Sequence, residues 1–140
     1  MDIGGPQLTD VADKILASAR TIAVVGLSPD TRRPSHGVAR YLQRAGYRII
    51  PVNPNVDEVL GERAYASLRQ IPDAVDVVDV FRRSEFVGPI VDDAIAIKAS
   101  AVWLQDGVVD EDAAARARDS GLDVVMDDCM MRRHAQRHQH

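Results

Sequence analysis

The sequence has few aromatic residues and a single cysteine. Only 4% of its 140 residues are aromatic, whereas 46% are hydrophobic, so the core must consist mainly of aliphatic side chains. One cysteine excludes an internal disulfide and predicts a reducing, cytoplasmic location. The length predicts a single domain over residues 1–140, in which we expect residues 1–6 and 135–140 to be frayed.

The sequence also lacks a long apolar run and an excess of positive charge. No stretch approaches the roughly 18 apolar residues of a membrane helix, and the opening MDIGGPQLTD lacks the apolar centre of a signal peptide. The net charge is −4, whereas proteins that bind nucleic acid over a broad surface are normally basic. We therefore expect no membrane and no nucleic-acid partner, and any phosphate site must be local.

Short apolar runs alternate with segments of helical spacing along the chain. An amphipathic helix extends from Leu8 to Ala19, with Thr9 or Asp10 as its cap, and later helices begin near Ser84 and Asp110. A short helix is also plausible over residues 65–70. The predicted strands cover residues 22–25, 47–52, 75–80, 101–104 and 122–126. This alternation predicts an α/β fold with a doubly wound, five-stranded parallel sheet, helices on both faces and strand order 3-2-1-4-5.

Polar and basic side chains follow the predicted strands. Because ligands of such sheets bind beyond the carboxyl ends of the strands, we expect these loops to form one site. Four arginines on this edge of an acidic protein indicate a phosphorylated anion. The loops begin at Gly26, Asn53, Phe81, Gln105 and Asp127.

The first loop contains the groups that a phosphate needs. A glycine permits close approach of the backbone, a helix start offers N–H groups, and serines and arginines add further donors. The alternative is an ordinary helix start with solvated arginines. The candidate residues are Gly26, Ser28, Arg32, Arg33, Pro34 and Ser35.

A dinucleotide fingerprint is missing from this loop. Ser28 and Thr31 stand where the second and third glycines of G-x-G-x-x-G would be, and the second strand ends at Asn53 instead of an acidic residue. A Walker A motif is absent as well. An NADP-dependent or other nucleotide-cofactor oxidoreductase stays open as the alternative function, since the arginines could accept a 2′-phosphate. A third possibility is a scaffold or subunit in which this edge of the sheet no longer binds a ligand.

Five segments in order resemble the small stand-alone CoA-binding proteins, whose domain is similar to the CoA-binding domain of the succinyl-CoA synthetase α subunit. The resemblance covers about residues 10–134 and implies a Rossmann-like domain that binds coenzyme A or an acyl-CoA without an established catalytic activity. The resemblance leaves open whether the protein forms a homodimer or associates with a partner enzyme. The segments are IAVVGLSPDTRRPSHGVARYLQRAGYRIIPVNP, LGE, DVVDVFRR, AVWLQDGV and GLDVVMDDC.

The resemblance also assigns residues to the parts of the ligand. Matches in the first loop imply phosphate contacts, those after the second strand adenosine contacts, and those after the third and fourth strands contacts with the pantetheine arm. Asp128 departs from the family, whose members often carry a basic residue there, which argues against an acidic acyl group. The expected ligand-binding residues are Gly26, Leu27, Ser28, Arg32, Arg33, Pro34, Ser35, Asn53, Pro54, Phe81, Arg82, Gln105 and Gly107, with Cys129 as a candidate thiol.

Several residues carry alternative interpretations. Phe81 and Gln105 either contact the ligand or stabilise the fold, and Trp103 is expected in the core. We expect His36 at the surface, although it could instead donate to a phosphate or act as an acid or base. Cys129 is either buried and inert or able to form a mixed disulfide with CoA. We predict no catalytic constellation and no metal site, because Asp127, Asp128, Cys129 and His134 match no zinc spacing.

Overall fold

The structure is a computed structural model and describes residues 10–138. Five helices accompany a five-stranded sheet and a short hairpin in this part of the chain. The helices are α1 Val11–Ser18, α2 Pro34–Arg44, α3 Val87–Ala96, α4 Glu111–Asp119 and α5 Met130–Arg137, with 3₁₀ turns at Leu68–Gln70 and Ser84–Phe86. The strands are β1 Thr21–Val25, β2 Arg48–Val52, β3 Glu58–Val59, β4 Glu62–Arg63, β5 Val77–Val80, β6 Ala101–Leu104 and β7 Asp123–Val125.

The large sheet is parallel throughout and confirms the predicted fold class. Strands β5 and β6 are buried at every residue, which explains why their sequences are continuous apolar runs instead of alternating patterns. Helices α1, α2 and α5 pack on one face of the sheet, and α3 and α4 pack on the other. Trp103 is fully buried in β6, as predicted, and its indole Nε1 donates to the Asp128 carbonyl at 3.0 Å.

The predicted strand order is wrong. The sheet runs β2-β1-β5-β6-β7, which is order 2-1-3-4-5 for its strands in sequence, instead of 3-2-1-4-5. The outer edge of β2 is already occupied at its end, because the Tyr65 N–H donates to the Pro51 carbonyl and the Tyr65 carbonyl accepts the Asn53 N–H. The next strand, β5, therefore pairs on the other side of β1, and the switch point at which the strand order reverses lies between β1 and β5.

The hairpin β3–β4 was not predicted. Its two turn residues, Leu60 and Gly61, have φ of 57° and 77°, as the tight hairpin turn that matches strand twist requires. Leucine seldom adopts this conformation, so the residues at this turn are only a weak indication of a hairpin.

Two helix caps were predicted correctly and one was not. The side chains of Asp10 and Asp110 accept the N–H groups of Asp13 and Ala113 at 2.9 and 3.0 Å. Ser84 instead begins a 3₁₀ turn, and its hydroxyl accepts the Val109 N–H at 2.9 Å, which leaves α3 to start at Val87.

Both ends of the chain were only partly predicted. Helix α5 was not expected, and it includes residues 135–137, which we had expected to be frayed. Its hydrophobic side is short, with Met130 as its one buried residue, so the sequence pattern is weak. Three parts of these predictions lie outside the described residues. They are the frayed segment 1–6, the helix start at Leu8 and Thr9, and residues 139–140.

Candidate functional site

Gly26 lies where the loops after β1 and β5 separate. Its φ is +87°, and a Cβ built on it would lie 2.5 Å from the Phe81 carbonyl oxygen. The Gly26 N–H donates to the Val52 carbonyl, and the Phe81 N–H donates to the Val25 carbonyl, both at 2.9 Å. The carboxyl ends of the three neighbouring strands therefore meet at a position that only glycine fits.

Two clefts meet at Gly26. The larger cleft, of about 730 Å³, lies between the start of α2 and the loops after β5, β6 and β7. The smaller cleft, of about 390 Å³, lies between the end of β2, the turn at Leu68–Gln70 and α3. Gly26 and Arg82 line both. The larger cleft is otherwise lined by Ser28, Arg33, Pro34, Ser35, Val38, Phe81, Arg83, Gln105, Asp106, Gly107, Val108 and Cys129.

Hydrogen bonds fix the first loop against the start of α2. The Ser28 N–H donates to Ser35 Oγ, and the Asp30 N–H donates to Ser28 Oγ, both at 3.0 Å. The Ser35 hydroxyl hydrogen is not used in the bond from Ser28 and can serve as a donor toward the cleft. The loop is therefore held in shape by the protein's own groups.

His36 completes this loop and corrects an expectation. Its side chain is 8% exposed, not at the surface, and its Nδ1 lies 3.0 Å from the Ser28 carbonyl oxygen. Since a carbonyl can only accept, Nδ1 carries the hydrogen and donates it. The sequence placed His36 correctly in the first helical turn, but it could not indicate that the ring turns back onto the loop.

Arg32 and Arg33 are neighbours with different surroundings. Arg32 forms two hydrogen bonds of 3.0 Å to Asp30, and its side chain is 88% exposed. The hydrogen bonds from Arg32 lower the pKa of Asp30. Arg33 lines the larger cleft, and no carboxylate among residues 10–138 pairs with it. The structure therefore leaves the Arg33 charge available at the cleft, whereas the Arg32 charge is already paired.

A second pair of arginines stands at the junction of the clefts. The Arg82 guanidinium lies 4.5 Å from the centre of the Phe86 ring, and that of Arg83 lies 5.4 Å from it. Arg83 also approaches Glu85 at 3.5 Å. The Phe86 ring orients both cations, which brings positive charge to the edge of the sheet in an acidic protein.

The far end of the larger cleft contains Cys129 and the loop after β6. Cys129 is 7% exposed. The Gly107 N–H donates to Asp127 Oδ1 at 2.7 Å, and Arg132 forms hydrogen bonds of 3.0 and 2.9 Å to Asp106. The bonds from Arg132 lower the pKa of Asp106. The Asp106 carboxylate at this end is therefore paired with a cation, whereas Asp127 is held by a backbone N–H.

Gln105 connects the larger cleft with a buried carboxyl group that sequence reasoning missed. Gln105 is 4% exposed, and its Nε2 donates to Asp79 Oδ1 at 2.5 Å. Asp79 is fully buried in β5, and its Oδ2 has no hydrogen-bond partner among the described residues. Burial raises the pKa of Asp79 to about 7, although the Gln105 hydrogen bond opposes the shift. The sequence carries one indication of this buried carboxyl group, because an acidic residue stands inside the otherwise apolar run VVDV.

Asn53 and Pro54 line the smaller cleft, as the predicted adenosine contacts require. Asn53 Nδ2 donates to the Leu27 carbonyl at 3.0 Å, and Asn53 Oδ1 accepts the Asn55 N–H at 2.9 Å. This side chain holds the loops after β1 and β2 together. The Leu27 side chain itself is fully buried in the core and lines neither cleft.

The structure brings most of the predicted binding residues to these two clefts. Leu27 lies beneath them, and Arg32 lies outside their lining. In residues 10–138 no group of three or more His, Cys, Asp or Glu side chains could hold a metal ion. No helix in the same range is long and apolar enough to cross a membrane. The predicted residues at the clefts are Gly26, Ser28, Arg33, Pro34, Ser35, Asn53, Pro54, Phe81, Arg82, Gln105, Gly107 and Cys129.

Comparison with known proteins defines the class. A family profile described as "CoA binding domain" matches residues 20–135, which include both clefts. The chain therefore belongs to the CoA-binding domain family.

Individual relatives include whole proteins of similar size and a part of a large enzyme. YneT of Bacillus subtilis is 43% identical over 122 residues, covering 87% of this chain and 90% of YneT. The structure of a hypothetical protein from Pyrococcus horikoshii OT3 has a TM-score of 0.87 and 36% identity, and the match covers 97% of this chain and 98% of that one. Acetate–CoA ligase [ADP-forming] II of Archaeoglobus fulgidus is 37% identical over 60 residues, 41% of this chain but only 9% of the ligase.

Proposed function

We propose that this protein binds coenzyme A or an acyl-CoA across both clefts and acts as a binding or sensing module instead of an enzyme. The observation that carries the proposal is the junction at Gly26, where two clefts of different character meet in a chain of the CoA-binding domain family. CoA is itself a ligand of two parts, an adenosine nucleotide and a long amide-containing arm, joined by a diphosphate.

The charged and polar groups at the clefts support this placement of the two parts of CoA. The diphosphate would meet Gly26, the start of α2 and Arg33, where N–H groups, hydroxyl groups and a guanidinium that pairs with no carboxylate of residues 10–138 are available. The adenosine would lie in the smaller cleft beside Asn53 and Pro54. The arm would lie in the larger cleft, where Phe81 offers apolar contact.

The side chains at the clefts support binding more than catalysis. His36 uses its Nδ1 to hold the first loop, and Asp106 is paired with Arg132. Neither arrangement gives an acid or base aligned with a nucleophile, as general acid–base catalysis requires. A cytoplasmic location stays a prediction from the cysteine count.

Cys129 offers a covalent extension of the same proposal. Its thiol lines the cleft proposed for the arm. Attack of the Cys129 thiolate on the disulfide of oxidised CoA would join one CoA to the protein and release the other as a thiolate. Mass spectrometry after incubation with CoA disulfide should detect one added CoA that dithiothreitol removes. An adduct of equal yield on Cys129→Ser would contradict this step.

Thermal unfolding with a panel of ligands tests the function. We expect CoA or acetyl-CoA at millimolar concentration to raise the melting temperature, because a ligand that binds only the folded state stabilises it. Native mass spectrometry of the purified protein would identify a ligand that is retained. A shift with NADPH but not with CoA would instead support the oxidoreductase alternative. Binding of no nucleotide, together with capture of a stable protein partner, would support the scaffold alternative.

A further inference from the structure

Asp79 is an unusual residue in this fold. It is the one acidic side chain in residues 10–138 that is buried, and it lies in central strand β5, opposite Val24 in β1 and Trp103 in β6. Within the described part of the chain no salt bridge compensates it, and its Oδ2 has no hydrogen-bond partner there. Burying such a group costs stability unless it is neutral or fully bonded. A nonpolar residue would serve the core better, so the carboxyl group needs another explanation.

Gln105 connects this carboxyl group with the larger cleft. Side chains alternate along a strand, so Asp79 lies on the same face as Val77, which packs against α1, α2 and α5. Gln105 lines the cleft and donates one amide hydrogen to Asp79 Oδ1. A primary amide has a donor end and an acceptor end. Whichever end Asp79 engages, the opposite end is left for the cleft.

We propose that Asp79 is a positioning residue that determines, through Gln105, whether the cleft offers a hydrogen-bond acceptor or donor to the thioester end of an acyl-CoA. The proposal rests on the proposed function, because it assumes that the arm of CoA reaches Gln105 and Cys129. Ionised Asp79 accepts from Nε2 and turns Oε1 toward the cleft. Protonated Asp79 donates its O–H to Oε1 and turns the amide N–H toward the cleft.

The two states favour different ligands. A thioester carbonyl accepts hydrogen bonds only, so it fits the amide N–H and is disfavoured beside Oε1. Free CoA has a thiol at this end and no such carbonyl. Protonation of Asp79 therefore favours acyl-CoA relative to CoA. Because burial brings the pKa of Asp79 to about 7, the change falls in the neutral range.

Other titrating groups near this face can be distinguished from Asp79. The remaining buried titratable side chains on it are His36 of α2 and Cys129, which precedes α5, while β1 and β6 present the uncharged Val24 and Trp103. Arg33 and Arg82 are guanidinium groups that line the same cleft as Gln105. His36 is the main competitor, because it is the buried imidazole on this face. The variant His36→Gln therefore serves as the control.

The test is calorimetric titration of acetyl-CoA and CoA at about pH 6 and about pH 8, covering the titration of Asp79 on both sides. The two ligands share their phosphates, so phosphate ionisation cancels in the ratio of their affinities. We expect this ratio to favour acetyl-CoA at the lower pH by about fivefold, the size of one ordinary hydrogen bond. Asp79→Asn should remove the pH dependence, and His36→Gln should retain it.

A second variant keeps the test valid if Asp79→Asn does not fold. Gln105→Leu removes the connection while leaving the carboxyl group, and it should also abolish the pH dependence of the ratio. A constant ratio in the unmodified protein, or a pH dependence that survives in Gln105→Leu or Asp79→Asn, would overturn the inference while CoA binding stands. Failure of both ligands to bind would overturn the proposed function itself.

Discussion

The two clefts on either side of Gly26 differ in how much positive charge lines them. The larger cleft is lined by three arginines, Arg33, Arg82 and Arg83. The smaller cleft shares Arg82, and its one acidic side chain, Asp93, is paired with Arg69 at 2.6 Å. A phosphate is therefore better accommodated at the junction beside Arg82 and in the larger cleft, whereas the rest of the smaller cleft suits an uncharged group such as the adenine base.

The clefts also differ in what lies beneath them. The larger cleft has a buried titratable carboxyl group below Gln105, while the wall of the smaller cleft includes the side-chain amides of Asn53 and Asn55. Recognition in the smaller cleft should consequently be insensitive to neutral pH, and recognition in the larger cleft should respond to it.

The largest effect is expected where the two clefts join. In Gly26→Ala the new methyl group would meet the Phe81 carbonyl, and the residue would stay at positive φ. We expect a loss of about 2 kcal/mol or more in unfolding free energy and no measurable CoA binding. Gly37→Ala is the matched control, because nothing lies within 4 Å of its added Cβ. Chemical denaturation measures both variants, and equal effects would contradict the special role of Gly26.

Asp79 should make the stability of the protein depend on pH. Its pKa of about 7 lies above the ordinary 3.8, so between these values the folded protein keeps a proton that the unfolded chain has released. Stability contributed by this proton is present at low pH and lost as the pH rises, by up to about 1.4 kcal/mol per unit. Between about pH 4 and pH 7, the unfolding free energy of Asp79→Asn should rise relative to that of the unmodified protein. If the difference in unfolding free energy between the two proteins stayed constant across that range, the pKa assigned to Asp79 would be contradicted.

The adjacent residues Arg32 and Arg33 should differ in their contribution to CoA binding. Arg33→Ala should weaken CoA binding about tenfold, because it removes a charge-assisted contact with phosphate. Arg32→Ala should change the affinity by less than about twofold, because Arg32 lies outside the lining of both clefts and is paired with Asp30. Calorimetry at two salt concentrations measures both, and equal losses would show that the Asp30 pair does not withhold Arg32 from the ligand.

The smallest effect is expected in the smaller cleft. Asn53→Ala removes the hydrogen bond to the Leu27 carbonyl and the support of the Asn55 turn. We expect a loss of about 1 kcal/mol in stability and about a fivefold loss of affinity for CoA, equal at both ends of the neutral pH range. Asn55→Ala, whose side chain makes no such bond between the loops, should be milder. If the loss of CoA affinity in Asn53→Ala depended strongly on pH, the two clefts would not differ in their response to pH.

Local sequence patterns predicted the parts of the molecule that depend on neighbouring residues. The apolar runs located all five strands of the sheet, and Asp10 and Asp110 marked their helix starts. The glycine after the first strand and the polar loops marked the edge on which the clefts lie. These features follow from burial and from capping, which leave direct patterns in a sequence.

Long-range features left no such pattern. The strand order depends on Tyr65 occupying the edge of β2, a contact between distant residues that no local pattern indicates. The inward turn of His36, the pairing of Arg32 with Asp30 and the bond from Gln105 to Asp79 each depend on which loops meet. Asp79 was therefore visible as an anomaly in an apolar strand but not as part of a site.

The central claim is that one CoA molecule spans two clefts joined at Gly26. Calorimetric titration of CoA and NADPH into the unmodified protein, Gly26→Ala and Gly37→Ala tests it most directly. We predict binding of one CoA per chain to the unmodified protein and to Gly37→Ala, none to Gly26→Ala, and no binding of NADPH. Unchanged CoA affinity in a folded Gly26→Ala protein, or binding of NADPH without CoA, would contradict the claim.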